Sequence, residues 1–388
     1  MHQVYLIPGF FGFARLAGVD YFGHVQRALE ARFADAGVPV EVVVVPTPPT
    51  ASIRRRARTL AERIRARHPL ALHGADPRRN AIHLVGHSTG GLDARLLTSP
   101  TVHLDLGEDD LAWRAHIRTV VALNSPHHGT PLAGFFTTVS GARLLYALSL
   151  LTVTTLSLGG PPLTAATGLL ATLGGVDDLL GVDVKLLDRA SDAMLRVVDV
   201  DARDDVRAWL ERIRHDQGAL LQLTPEAMDL FTAAAEDAPD VRYGCVASAS
   251  PEPRSGGLLS AMRSPALALM QTIYATIFGI TASAHPHYLY PLPEPEDARR
   301  LLQRTGLRPD ETANDGIVPT QSMLWGELIW AGLADHLDVV GHFRDEVSGS
   351  ARGRHTDWLT SGSGFRRRDF AELMDALAAF LLRDAPSG

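Results

Sequence analysis

The stretch His83–Leu97 reads HLVGHSTGGLDARLL. Ser88 stands between Gly86 and Gly90 in a Gly-x-Ser-x-Gly pattern. A five-residue pattern of this kind arises by chance, so its flanks decide its weight. AIHLV before it reads as a strand, and GLDARLL after it reads as a helix. A strand–turn–helix setting displays a serine on a sharp, strained turn at the end of a sheet strand. Gly86 and Gly90 suit such a turn because it presses backbone segments together and leaves no room for Cβ atoms. Gly91 relieves the same crowding. The helix N-terminus behind Ser88 offers free N–H groups and partial positive charge to a forming oxyanion. The plainer alternative is a serine in a glycine-rich loop.

Working outward, VYLI near the start, VEVVVVP, AIHLVGH and TVVALNSP are apolar, β-branched runs. Helix-like segments alternate with them: VDYFGHVQRALEARFADAG, SIRRRARTLAERIRAR and GGLDARLL. Continuous apolar strands between helices predict an α/β fold, a mostly parallel sheet flanked by helices. VRYGCVAS returns to the strand pattern, and RDFAELMDALAAFLLRD closes the chain as an amphipathic helix. The arginine-rich helix is one face of one helix in an acidic protein, so its arginines read as a solvated face.

The chain has 388 residues, 46% hydrophobic, with a net charge of −7. That is ample for a large core and supplies no basic field for nucleic acid. The single cysteine, Cys245, rules out an intrachain disulfide and reads as a small buried apolar residue. The apolar run VYLI is too short for a signal-peptide core and meets Pro-Gly at once. A cytoplasmic protein, or a chain whose leader has been removed, is therefore expected.

Two apolar blocks interrupt the pattern. Residues 144–176 carry no charge, and residues 258–284 form a second block. About 20 apolar residues can span a bilayer. However, GGPP splits the first block, Arg263 and Pro265 shorten the second, and neither has basic flanks or an aromatic belt. No membrane span is expected. The division that follows is an α/β core over 1–135 and 215–388, a helical lid insertion over 136–214, and a second apolar insertion over 251–300.

A serine nucleophile needs a base, and the base an orienting carboxylate. With this kind of turn the chain order is Ser, Asp or Glu, His. Asp315 lies in a polar Asn-Asp-Gly turn, which is also a plain β-turn signal. His336 follows in ADHLDVVGHF, with His342, His355 and the pair His285/His287 as rivals. Spacing alone does not choose among them.

GHSTGGLDARLL, LNSPHHGTPLAGF, NDGIVPTQS and DHLDVV occur in the order found in the bacterial triacylglycerol lipases of the α/β-hydrolase superfamily, and the chain resembles that family over roughly 1–135, 215–250 and 311–345. GALLQLTPEAMDLF resembles the segment leading from that family's lid back to its core. The two apolar blocks match nothing in it. The resemblance implies Ser88 as nucleophile, Asp315 as acid and His336 as base. It also implies an oxyanion hole from the Thr89 and Phe10 N–H groups. The family usually has His-Gly at the loop where this chain has Pro8-Gly9, so a loop-holding side chain is lost and Pro8 stiffens the loop instead.

Some members of that family bind a structural Ca²⁺, which by resemblance would use Asp338 and, upstream, Asp297. No cofactor is otherwise implied. Adjacent His127 and His128 rarely converge on one ion, and His68 and His73 have no zinc spacing.

The expected activity is a serine carboxylester hydrolase acting on lipid-like esters, with apolar insertions that open at a lipid–water interface. An acyltransferase or a polyester depolymerase would use the same triad. A non-enzymatic membrane-associated protein is the rival of another class. Oligomeric state is not readable.

Overall fold

The computed structural model describes residues 1–16, 19–67, 80–138, 141–142, 144–146, 148–149, 152, 200–253, 265–283, 288–345, 355 and 357–383. Six strands form one sheet: β1 His2–Ile7, β2 Val40–Val44, β3 Ile82–His87, β4 Ile117–Leu123, β5 Arg242–Ala249 and β6 Glu327–Leu333. Their order is β2-β1-β3-β4-β5-β6, and every neighbouring pair is parallel. The strands expected from the sequence are all present. The sheet is the fold of the α/β class.

Alternate residues of β1 show why these runs are apolar throughout. Val4 and Leu6 enter one core, and Tyr5 and Ile7 the other. The first core takes Val25, Leu29 and Phe33 from α1 (Gly23–Asp35) and Leu373, Leu377 and Leu381 from the last helix, Arg367–Leu382. The second takes Ile53, Leu60 and Ile64 from α2 (Ile53–Arg67) and Leu92 and Leu97 from α3 (Thr89–Thr98). A sheet covered on both faces needs both residue sets apolar, and each fully buried Leu or Ile contributes about 1.5–3 kcal/mol. Cys245 is buried in β5, where loss of solvation pushes its thiol up to about 12, as suits an inert core residue.

Four short helices extend the core. α4 (Pro131–Phe136) starts on a Thr130 hydroxyl cap, and α5 (Arg203–His215), α6 (Gly218–Gln222) and α7 (Pro225–Ala234) follow. α5 buries Val206, Trp209, Leu210 and Ile213 in the first core, and Trp209 Nε1 donates to Phe11 O at 2.9 Å. Within the second apolar block, α8 (Pro265–Thr281) packs on α4. α9 (Pro295–Thr305) lies against β6. We call the helix Arg367–Leu382 α10. The expected lid, 136–214, falls largely outside the described residues. Among the described residues no helix is long and apolar enough to cross a membrane.

Candidate active site

Because all six strands run one way, their carboxyl ends share an edge, where open α/β sheets place their ligand crevice. β3 ends at His87 and hands over directly to Ser88, and β4 to Asn124. The loop after β1 is Pro8-Gly9-Phe10, and His336 follows β6 by three residues.

Ser88 sits at φ 55°, ψ −128°. A non-glycine residue in that region is strained and is found where the fold forces it. The force is visible in the glycines. A Cβ on Gly86 would stand 2.2 Å from Gly90 C, and one on Gly90 would stand 2.3 Å from Ile7 O. The sheet strand, the turn and the neighbouring loop are in backbone contact. The loop after β1 comes as close: a Cβ on Gly9 would meet Ser88 Cβ at 2.8 Å. This puts the Phe10 segment beside the serine.

His336 Nδ1 donates to Asp315 Oδ2 at 2.7 Å, with both side chains buried. Asp315 Oδ1 accepts the N–H groups of Ile317 and Val318 at 2.9 and 2.8 Å, and His336 N bonds Asp315 O at 3.0 Å. The Asn-Asp-Gly segment is thus a turn whose carboxylate is fixed by its own backbone and aimed at the imidazole. The rivals are placed elsewhere. His342 Nε2 faces Tyr21 O at 2.9 Å, and His355 Nδ1 faces Gly341 O at 2.7 Å. His285, His287, His68 and His73 lie outside the described residues.

His87 supports the loop of His336. Its Nε2 faces His336 O at 2.7 Å, so that nitrogen carries the proton, and its Nδ1 accepts from Tyr21 Oη at 2.7 Å. Burial, followed by the neighbouring His336 ring, holds His87 well below the usual imidazole range. It is a neutral spacer.

The reading of the arginine-rich helix as a solvated face fails at one residue. Arg56 is fully buried. Its guanidinium is forked on Asp93 of α3, with Nε at 2.9 Å from Oδ2 and Nη2 at 2.8 Å from the same oxygen. Nη2 also lies 2.9 Å from Pro8 O and 3.0 Å from Gly9 O, and Nη1 3.1 Å from Pro48 O. Arg56 therefore ties the loop after β1 to the helix behind Ser88. Pro8 is thus not the only restraint on that loop.

The residues suggested for Ca²⁺ do not fit one. Asp338 Oδ2 accepts from Asp335 N at 2.8 Å and from Ser363 Oγ at 2.7 Å. Asp335 Oδ1 accepts from the Leu337 and Asp338 N–H groups, and its Oδ2 from Ser361 Oγ. Burial, followed by the neighbouring Asp335, pushes Asp338 well above the usual carboxylate range. Donors from the chain meet these carboxylates. Asp297 is on α9, where partial burial raises its carboxyl against the opposing pull of Arg300. Among the described residues no group of three or more His, Cys, Asp or Glu is arranged to hold a metal ion. His127 is buried against Trp325, with ring centroids 5.7 Å apart.

A cavity of about 170 Å³ opens at Ser88 and His336. Its wall is almost wholly apolar: Leu132 and Phe136 of α4, Leu145, Leu148, and Ile273 and Ile277 of α8 are among the lining. α8 roofs it and is tied to the Asp315 turn. Thr281 Oγ1 donates to Ile277 O at 2.8 Å and also lies 3.2 Å from Gly316 O, and Tyr274 Oη meets Ser250 Oγ, which donates to Asn314 O.

This chain is similar in fold to Staphylococcus hyicus lipase, at 15% identity and a TM-score of 0.53, with 100% of this chain and 97% of that one covered. It is equally similar to lipase 1 from Pelosinus fermentans, at 15% identity and a TM-score of 0.51, covering 97% and 98% of the two chains. The fold is the α/β-hydrolase fold. At such identity the likeness shows the architecture and nothing of the substrate. No protein-family model matches the chain, and no curated protein matches its sequence.

Proposed function

We propose that the protein is a serine carboxylester hydrolase acting on lipid-like esters. The observation that carries this reading is the buried His336–Asp315 pair, 2.7 Å apart, at one apolar cavity with a serine held in strained backbone geometry. Ser88 Oγ attacks the ester carbonyl carbon while His336 Nε2 takes its proton. Asp315 holds the imidazole in the required tautomer and stabilises the imidazolium. The Thr89 and Phe10 N–H groups receive the oxyanion. Collapse expels the alcohol, which takes the proton from His336. Water, deprotonated by the same base, then releases the acid from the acyl-enzyme. The lipase fold, and the bacterial lipases that share it, support this reading.

The cavity wall favours the acyl chain over a charged group. Each methylene it buries contributes about 0.8 kcal/mol, or about fourfold in kcat/KM. p-Nitrophenyl esters from acetate to palmitate test both points. The expected result is a rise in kcat/KM from acetate through the short chains until the cavity is full. Ser88→Ala and His336→Ala each lose about 10⁴-fold or more in kcat. Full activity in Ser88→Ala, or a strict preference for acetate, overturns the proposal.

A further inference from the structure

Among the described residues, Asn124 is the side chain besides His336 that hydrogen-bonds the Asp315 carboxylate. It follows the last residue of β4 and is fully buried. Its Nδ2 lies 2.7 Å from Ser248 Oγ and 2.9 Å from Asp315 Oδ2, the oxygen that also accepts from His336 Nδ1. A carboxylate only accepts, so the amide nitrogen and not its oxygen faces Asp315.

Local stability does not explain this residue. Its backbone is at φ 47°, where glycine is unstrained and asparagine is tolerated at a cost. Its own Oδ1 is buried with no partner among the described residues. A glycine would make the same turn without either penalty. What asparagine adds is the fourth hydrogen bond to the carboxylate: two come from the backbone to Oδ1, one from His336 and one from Asn124 to Oδ2. The two bonds on Oδ1 anchor one end of the carboxyl group, and the amide fixes the plane of the other end against the imidazole.

We propose that Asn124 is a positioning residue for the His336–Asp315 pair, holding Oδ2 in line with Nδ1–H and reducing its pull on that proton. This rests on the reading of Ser88, His336 and Asp315 as the catalytic triad. With the amide gone, Oδ2 loses one of its two donors and draws the imidazolium proton more strongly.

The test uses the full chain with p-nitrophenyl butyrate. Asn124→Gly removes the amide and relieves the backbone. Ser248→Ala leaves the amide but removes its other anchor. Ser88→Ala is assayed beside them. For Asn124→Gly, kcat falls about tenfold while KM stays within about twofold. The acidic limb of kcat/KM against pH moves up by about half a unit. Ser248→Ala shifts both in the same direction by less. The rings facing the pair, His87 against His336 at 4.6 Å and Tyr274 over Gly316, are untouched in these variants. Wild-type kcat and an unmoved limb in folded Asn124→Gly, with Ser88→Ala inactive, overturn the proposal and leave the triad standing. If Asn124→Gly does not fold, an unmoved limb in Ser248→Ala overturns it. Activity in Ser88→Ala sinks the triad and the proposal together.

Discussion

Arg56 can be separated into its contributions to stability and to rate. Arg56→Met removes the fork on Asp93 and the donors to Pro8 O, Gly9 O and Pro48 O. Asp93 is fully buried, so the variant keeps a carboxylate with no cation. Breaking one side of a buried pair costs about 3–5 kcal/mol. Burial already pushes Asp93 up to about 6 against the opposing pull of Arg56. A carboxyl raised on folding contributes stability that is full below its unfolded value and is lost as pH rises through the folded one. Without Arg56 the folded value climbs further, so the variant goes on losing stability above pH about 6, where the wild type has levelled off. The stability gap between them therefore widens from pH 5 to pH 8, which urea unfolding at the two pH values reads directly.

Adding Asp93→Leu removes the orphaned charge, and the double variant recovers most of the loss, because a buried pair replaced by apolar groups is often neutral. The rate does not recover. In the proposed mechanism the loop carrying the Phe10 N–H has lost its tie to the helix behind Ser88, and loss of one oxyanion donor costs about 10²–10³ in kcat. A double variant with wild-type stability and wild-type kcat would refute the assignment of Arg56 to the loop. A double variant as unstable as Arg56→Met would refute the charge argument.

Two further outcomes are expected. Gly90→Ala puts a Cβ 2.3 Å from Ile7 O, so the strand–turn–helix contact must open. A soluble variant loses about 10²-fold or more in kcat through displacement of Ser88, and near-normal turnover would show that the turn tolerates the shift. Treatment with EDTA leaves the melting temperature and the ester turnover unchanged, since Ser363 Oγ and Asp335 N already meet Asp338. Ser363→Ala instead lowers the unfolding free energy by about 1–3 kcal/mol, measured by urea unfolding. A fall in melting temperature on chelation, reversed by added Ca²⁺, would restore the cation.

The fold was legible because two-sided burial leaves an unmistakable trace: runs such as VYLI (4–7) and VVAL (120–123) are buried at every position and have no polar face to hide. The turn around Ser88 was legible because its glycines answer a local crowding that any sequence with that turn must meet. His336 was not separable from His342 and His355 by sequence. All three follow the last apolar strand run within about 20 residues, and only the meeting of the loop after β6 with the Asp315 turn distinguishes them.

Arg56 was missed for a different reason. The core-facing positions of its helix run Ile53, Arg56, Ala57, Leu60, Ala61, Ile64, the three-and-four spacing of one buried stripe. Arg56 is inside that stripe, while the other arginines of the run lie off it. Composition suggested a solvated face, but periodicity applied residue by residue marks one cation as buried, and a buried guanidinium must find an acid and acceptors nearby. Its acid is on the helix that follows Ser88, and its acceptors are on the loop that faces Ser88. The pattern of one surface helix therefore already held evidence about the serine, in a residue whose charge made it look like surface. Asn124 left no such trace: a polar residue after an apolar strand is ordinary, and its meaning comes only from the carboxylate that long-range folding brings to it.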